Sequence, residues 1–183
     1  KEWTLPKGRN IVFLLIRAVA GTAGILCNFY ALSNMNLADA SMLNKLSPFF
    51  AVVFSLFILK EKANFKQILA VVIAFIGALF VMKPSFSFDA FPAFMGFLGG
   101  MGAGLAYACV RKLTTNGFKG NLIIFYFSAF SCLVTLPWLL FDFVPMSVTQ
   151  WLFLIFAGLS ASGGQYFITT AYSKAPAKEI SVY

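Results

Sequence analysis

The sequence predicts an all-α integral membrane protein, and three observations lead to that prediction. Of the 183 residues, 60% are apolar and only 11% are charged, whereas soluble domains are nearer half apolar and a quarter charged. Apolar runs of about 20 residues, the length that crosses a bilayer as a helix, recur along the chain. Most of the 14 Lys and Arg residues lie in the short segments between those runs.

Six runs are long and apolar enough to span a membrane. They cover residues 11–33, 40–59, 66–83, 93–110, 121–141 and 151–173, and a seventh begins near Lys178. The connections between them are short and carry Gly, Pro, Asn and Asp, which favour turns. We therefore expect six complete membrane helices in this chain.

The basic residues alternate between connections, and this fixes an orientation. Eleven Lys and Arg residues fall on one side of the predicted bundle and only Lys83 on the other. Because basic loops stay in the cytoplasm, span one runs outward and span six runs inward. The net charge of +8 thus reflects membrane topology, and we expect no nucleic acid partner.

Two stretches 140 residues apart, 24–43 and 164–183, predict an internal repeat. Each comprises the end of one span, a short link and the start of the next span. The identical pairs are Gly24 and Gly164, Ala31 and Ala171, Ser33 and Ser173, and Ser41 and Ser181. If span six repeats span one, each repeat has five helices, and an odd number places the second copy upside down, as in many secondary transporters.

This repeat predicts a domain organisation. Residues 1–84 would hold the last three helices of a first five-helix unit, and residues 85–183 the first three of a second unit plus a truncated fourth. The full protein would then have ten helices in an inverted-topology repeat. We expect two helices before Lys1 and about two after Tyr183.

The stretch from Phe29 to Met82 resembles the EamA-type domain of the drug/metabolite transporter superfamily. The motif residues are Tyr30-Ala31-Leu32, Ser47-Pro48, Glu61 and Gly77. Ala70 replaces a glycine usual in that family, and Lys60 replaces a small or apolar residue. The resemblance covers nearly the whole chain. It implies ten helices around a central cavity and export or exchange of metabolites, amino acids or drugs.

The segment SMLNKLSPFF places polar groups inside span two. Asn44, Lys45 and Pro48 lie within an otherwise lipid-compatible run. Lys45 either snorkels to the outer surface or points into a cavity, where its charge would meet an anionic substrate group. Pro48 removes a helical hydrogen bond and produces either a packing kink or a kink that lines the cavity.

Span six carries a polar stripe at helical spacing. Ser162, Gln165, Thr169 and Tyr172 fall on one face. In a membrane such a stripe faces either protein or water, so packing and cavity lining both remain open. We select Gln165, Thr169 and Tyr172 as substrate-binding candidates together with Asn44, Lys45 and Pro48. Asn28 in span one is expected either to form an interhelical hydrogen bond or to bind the substrate.

A second group of residues is predicted to form gates or packing surfaces. Arg17 in span one either snorkels to the cytoplasm or forms a gate ion pair. Glu61 lies between two lysines, and it forms either a local ion pair or an inside gate contact. Small residues at every fourth position form a face along which helix backbones approach; in span four these are Gly96, Gly100 and Gly104.

Together these features predict a secondary transporter that moves a small organic solute by alternating access, with efflux as the expected direction. A non-transporting membrane scaffold or receptor is the alternative. An intramembrane enzyme is disfavoured because the chain has no His and its carboxylates lie at helix ends or in links. We expect a monomeric protein without metal or cofactor, with a small-molecule substrate and lipid as partners, in the cytoplasmic or inner membrane of a prokaryote.

Overall fold

The computed structural model describes residues 8–60, 65–82, 90–141 and 143–180. Within those ranges the regular secondary structure consists of eight helices, joined by turns and irregular segments. Their bounds are α1 Arg9–Asn34, α2 Leu37–Asn44, α3 Ser47–Ile58, α4 Phe65–Met82, α5 Ala90–Thr115, α6 Gly120–Phe141, α7 Val148–Lys174 and α8 Ala177–Ile180.

The helices confirm an all-α, multi-pass membrane protein. In the described part of the chain, five segments are long and apolar enough to cross a bilayer, namely Asn10–Asn34, Leu37–Ile58, Ala90–Thr115, Gly120–Phe141 and Val148–Lys174. They match predicted spans one, two, four, five and six. Helix α4 occupies the third predicted span, and α8 lies where the seventh begins. The proposed domain boundary at residue 84 lies outside the described residues.

Helix α5 is the centre of the bundle, and α2 and α3 pack along one of its faces. This face carries Gly96, Gly100 and Gly104. A Cβ atom added to Gly100 would lie 2.6 Å from the carbonyl oxygen of Leu43, and one added to Gly104 would lie 2.8 Å from the carbonyl oxygen of Ser47. Since real Cβ atoms do not approach oxygens so closely, the backbones are in direct contact only because these residues are glycines.

A second small-residue face of α5 packs against α1. A Cβ atom on Gly102 would lie 2.7 Å from the carbonyl oxygen of Ala20, and one on Gly99 would lie 3.1 Å from that of Gly24. Gly24 is itself tightly enclosed, since its own Cβ would meet the Gly99 oxygen at 3.1 Å. Helix α5 thus contacts α1 on one side and α2–α3 on another, backbone to backbone.

The second membrane span is divided, although the sequence predicts one helix over 40–59. Helix α2 ends at Asn44 and α3 begins at Ser47. The N–H of Lys45 donates to the Ser41 oxygen at 3.1 Å, whereas the N–H of Leu46 donates to the Leu43 oxygen at 3.1 Å. This tightening to a three-residue turn precedes Pro48, which has no N–H to offer the carbonyl four residues earlier. We call Asn44–Pro48 the span-two kink.

Among the described residues, Lys60 and Lys112 from two of the basic connections lie together at one end of the bundle. The start of α1 touches the end of α5 through a hydrogen bond from Asn116 Nδ2 to Asn10 Oδ1, 2.7 Å long. A cluster of buried apolar side chains lies beneath, contributed by Leu14, Ala51, Val110, Leu113, Ile123, Tyr172 and Ala177. We call this region the basic end, and the positive-inside rule places it in the cytoplasm.

The two stretches 140 residues apart have the same backbone geometry. Met35 and Ala175 each follow a long helix in an extended conformation, with φ/ψ of −148°/172° and −135°/156°. The N–H of Met35 donates to the Ala31 oxygen at 3.0 Å, and that of Ala175 donates to the Ala171 oxygen at 3.1 Å. A new helix starts two residues later in both places. This likeness supports the predicted repeat, which stays a prediction.

The glycine face of α5 gives a stability prediction. We expect Gly100→Ala to lower the free energy of unfolding by about 1–3 kcal/mol, the usual cost of overpacking a tight contact. The measurement is the thermal or denaturant unfolding of the purified full-length protein in detergent. Gly158→Ala is the matched control, because a Cβ there meets nothing within 4 Å. Equal stability of the two variants would contradict the described packing of α5 against Leu43.

Candidate functional site

Asn44 and Lys45 are exposed at the span-two kink, beside the middle of α5. The kink packs at the level of Gly100, which lies about 15 Å from the start of α5 at 1.5 Å per residue. That depth is well inside the hydrocarbon layer of a bilayer about 30 Å thick. A charged and an amide side chain at this depth require water, protein or substrate around them, because lipid tails cannot satisfy them.

Asn28 on α1 lies at the same level of α5, on the neighbouring face. A Cβ on Gly99 would contact the Asn28 Cβ and backbone nitrogen at 3.2 Å. The Oδ1 atom of Asn28 is buried and has no hydrogen-bond partner among the described residues. An unsatisfied buried carbonyl of this kind costs about 1–3 kcal/mol. The sequence left open whether Asn28 joins helices or binds a ligand, and among the described residues no helix-joining hydrogen bond of its Oδ1 atom is found.

The polar stripe of α7 is largely used in packing. Thr169 is 1% exposed and Tyr172 3% exposed. Gln165 Nε2 donates to Thr169 Oγ1 at 3.2 Å, and Tyr172 stacks on Tyr107 of α5 with ring centroids 4.9 Å apart and planes 8° apart. These contacts lie nearer the basic end than the kink does, since Thr169 also lies beside Gly120 at the start of α6.

The six substrate-binding candidates therefore form two groups on different levels of α5. Asn44, Lys45 and Pro48 lie together at the kink, in the segment that packs beside Gly100 and Gly104 of α5. Helix α7 instead packs against α5, α6 and α8. Asn28 belongs with the first group. The spacing of polar residues in the sequence shows which face of α7 they share. It does not show which helix packs against that face or at what depth.

Arg17 is buried inside the bundle and does not snorkel, which corrects one of the two readings of the sequence. Its side chain is 2% exposed, and its guanidinium carbon lies 3.9 Å from the centroid of the Phe127 ring on α6. Gly21, one turn along α1, leaves the space that the guanidinium occupies. The Nε atom has no hydrogen-bond partner among the described residues. Arg17 is thus a cation held by an aromatic face.

Three acidic residues lie outside the described residues, namely Glu61, Asp89 and Asp142. The gate role expected for Glu61 therefore stays a prediction. A fourth acidic residue, Asp39, is fully buried in the first turn of α2, which agrees with the expectation that the carboxylates lie at helix ends or in links. Helix α2 starts at Leu37 and not at residue 40, so Asp39 lies inside the helix. An acidic residue in a first turn is favoured by the helix dipole, and Glu179 occupies the equivalent place in α8.

Comparison with known proteins gives one family and several relatives. The model of the EamA-like transporter family matches residues 1–83. The pseudopaline exporter of Pseudomonas aeruginosa is 33% identical over 177 residues, covering 95% of this chain and 62% of the relative. Human solute carrier family 35 member G1 is 32% identical, covering 91% of the chain and 49% of the relative.

A more distant relative is the riboflavin transporter of Brucella anthropi, 28% identical over 174 residues and covering 89% of the chain and 59% of the relative. The chain thus spans between about half and 62% of the length of these relatives. No solved structure shows significant similarity to the chain. The relatives' names describe transporters and exporters, which agrees with the fold.

The buried environment of Arg17 predicts how replacing this residue changes the free energy of unfolding. We expect Arg17→Met to leave the free energy of unfolding unchanged or to raise it by about 1–3 kcal/mol, because an apolar chain of similar length avoids the desolvation of a buried ion. The lost cation–π contact is worth only about 2 kcal/mol. Unfolding of the full-length protein in detergent measures the change. Arg17→Ala, which also leaves a void, should be less stable than Arg17→Met. A large loss in Arg17→Met would mean that a carboxylate outside the described residues pairs with Arg17.

Proposed function

Because the chain belongs to the EamA-like transporter family, we propose that the protein carries a small organic solute across the cell membrane by alternating access, in the direction of export. The family and the names of the relatives favour transport over catalysis and over a scaffold role. The observation that carries the proposal is the exposure of Asn44 and Lys45 at mid-membrane depth, on a kinked helix.

The cost of burying charge in lipid supports a water-filled or substrate-filled space at the kink. A lysine at the centre of a membrane helix costs about 2.5–3.5 kcal/mol on insertion scales. The kink also leaves the Asn44 carbonyl without the Pro48 N–H that a regular helix would supply. Non-helical backbone at this depth is tolerated where it lines a cavity or packs in protein. If the kink lines the transport cavity, water or substrate would satisfy both the Lys45 ammonium group and the Asn44 carbonyl.

The side chains at this level suggest the chemistry of the solute. Lys45 would pair with a negatively charged group, Asn44 would donate and accept hydrogen bonds, and the buried Oδ1 of Asn28 would accept one from a solute N–H or O–H. We therefore propose an anionic metabolite with hydrogen-bonding groups, of the amino acid or drug-like size class. Pseudopaline, which names one of the relatives, is the first compound to test, and riboflavin, which names another and is uncharged at neutral pH, is the comparison.

Two structural features support motion between repeats. The α1–α2 and α7–α8 junctions share one backbone geometry at an offset of 140 residues, as two copies of one unit would. The glycine faces of α5 allow helices to slide with little change in side-chain packing. In this proposal the units 1–84 and 85–183 rock against each other, and Gly96, Gly100 and Gly104 form part of the surface between them.

The remaining candidates have supporting roles in this proposal. Thr169 and Tyr172, which are buried in the described conformation, would hold α7 against α5 and come apart when the cavity opens to the basic end. Gln165 lies one turn further from that end and would become available to the solute. Arg17 and Glu61 would act at the cytoplasmic gate.

Transport by full-length protein in liposomes tests the role of Lys45. Solutes would first be ranked by the rise in melting temperature that they give the purified protein, beginning with pseudopaline and riboflavin. For a transported anion, we expect Lys45→Met to lower transport at least tenfold, since a hydrogen bond to a charged group is worth about 1.5–3 kcal/mol. Lys45→Arg should retain most of the transport because it keeps the charge.

The matched control is Lys66→Met, which removes an exposed lysine at the start of α4 and should change transport little. If Lys45→Met transports as fast as the unmodified protein, Lys45 does not contact the solute and the proposed site is wrong. The transport proposal itself would fail only if no compound in the panel moves in any variant.

A further inference from the structure

A polar pocket of about 450 Å³ opens at the basic end, away from the span-two kink. It lies between the start of α1 and the ends of α3 and α5, and its polar lining comes from Asn10, Lys60, Lys112 and Asn116. Lys112 is twelve residues beyond Gly100 on α5, or about 18 Å along the helix axis. The pocket is therefore separate from the proposed transport site.

Lys60 has a backbone conformation that lysine rarely adopts. It is the residue after the C-cap of α3, and its φ is 57°. Glycine or asparagine commonly fills this position, because other residues are strained in the left-handed region. Helix termination alone would be served better by either of those residues. Strained residues concentrate at functional sites, so the lysine side chain itself is the feature that needs an explanation.

The lining of the pocket combines two cations with amide hydrogen-bond donors. None of its lining residues is acidic, and neither ammonium group has an ion-pair partner in the part of the chain that the structure describes. Because Asn116 Nδ2 donates to Asn10 Oδ1 at 2.7 Å, the Asn10 amide nitrogen is oriented as a donor that remains available. Helix α1 also begins here, and Gly8 gives it no side-chain cap, so the positive end of its dipole faces this region.

We propose that this pocket binds a phosphate-type oxyanion. Lys60 and Lys112 neutralise its charge, and Asn10 and the first turn of α1 donate hydrogen bonds. The same chemistry fits the headgroup phosphate of an anionic lipid in the cytoplasmic leaflet and a free phosphate group in the cytosol. Basic pockets between membrane helices on the cytoplasmic side are the type of site that binds lipid headgroups.

The test uses full-length protein in a neutral detergent and follows the melting temperature during two titrations. One titration adds phosphatidylglycerol, with phosphatidylcholine as the uncharged control. The other adds sodium phosphate, with sodium chloride at matched ionic strength. Stabilisation by phosphatidylglycerol alone assigns the site to a lipid, and stabilisation by phosphate assigns it to a free anion. If neither stabilises the protein beyond its control, the proposal is overturned.

Variants of the pocket lysines distinguish binding at this site from general attraction of anions to the basic end. Lys60→Asn removes the cation but keeps a residue that tolerates positive φ, and Lys112→Gln removes the second cation. We expect each to weaken the apparent affinity about fivefold and the pair to weaken it roughly 30-fold, the effect of about one lysine contact each.

Lys174→Gln is the matched control, because Lys174 is exposed at the end of α7, at the same end of the bundle, and does not line the pocket. Its affinity should stay within about twofold of the unmodified protein. An equal loss in Lys174→Gln, or an unchanged affinity in the double variant, would overturn the proposal. Neither result would bear on Lys45, whose role is measured by transport.

Discussion

The arrangement of the bundle depends on backbone contact between α5 and its two neighbours. Lipid tails are as apolar as leucine, so helices in a membrane gain little by hiding apolar side chains from them, and close packing must supply the attraction. Glycines on two faces of α5 bring α1 and the span-two kink to within contact of its backbone. The depth of a polar residue on α1, α2 or α3 is therefore set by the part of α5 that its helix contacts at that point.

Because the backbones are in contact, the polar groups fall into two classes. Some are used to join helices, as in the 2.7 Å hydrogen bond between Thr22 Oγ1 and Ser131 Oγ and the stack of Tyr172 on Tyr107. Others are held at depth with no such partner in the described part of the chain, among them the Oδ1 of Asn28 and the Nε of Arg17. The second class costs stability, which is the physical reason to look for function there.

The sequence predicted what depends on composition and period, and it missed what depends on contacts between distant residues. Apolar length alone located the spans, and Pro48 signalled an irregular span two. The burial of Arg17 was not predictable, because it requires Phe127 on α6 and the space beside Gly21. The positive φ of Lys60 was equally hidden, since only the turn that ends α3 imposes it. For the same reason, the polar stripe of α7 predicted a shared face but not its two levels.

The positions of the cations also bear on what drives export. Arg17 lies about 12 Å into α1, Lys45 lies near mid-depth, and the lysines of the basic pocket lie at the cytoplasmic end, so positive groups occur at several levels of the bundle. Of these cations, Lys45 alone belongs to the proposed transport site, where it would attract an anion at mid-depth. An anion moving outward is also driven by a membrane potential that is negative inside, worth about 2.3 kcal/mol per charge for each 100 mV. Export of the proposed anionic solute would therefore run downhill electrically. A proton-coupling carboxylate at the proposed substrate site would then be unnecessary.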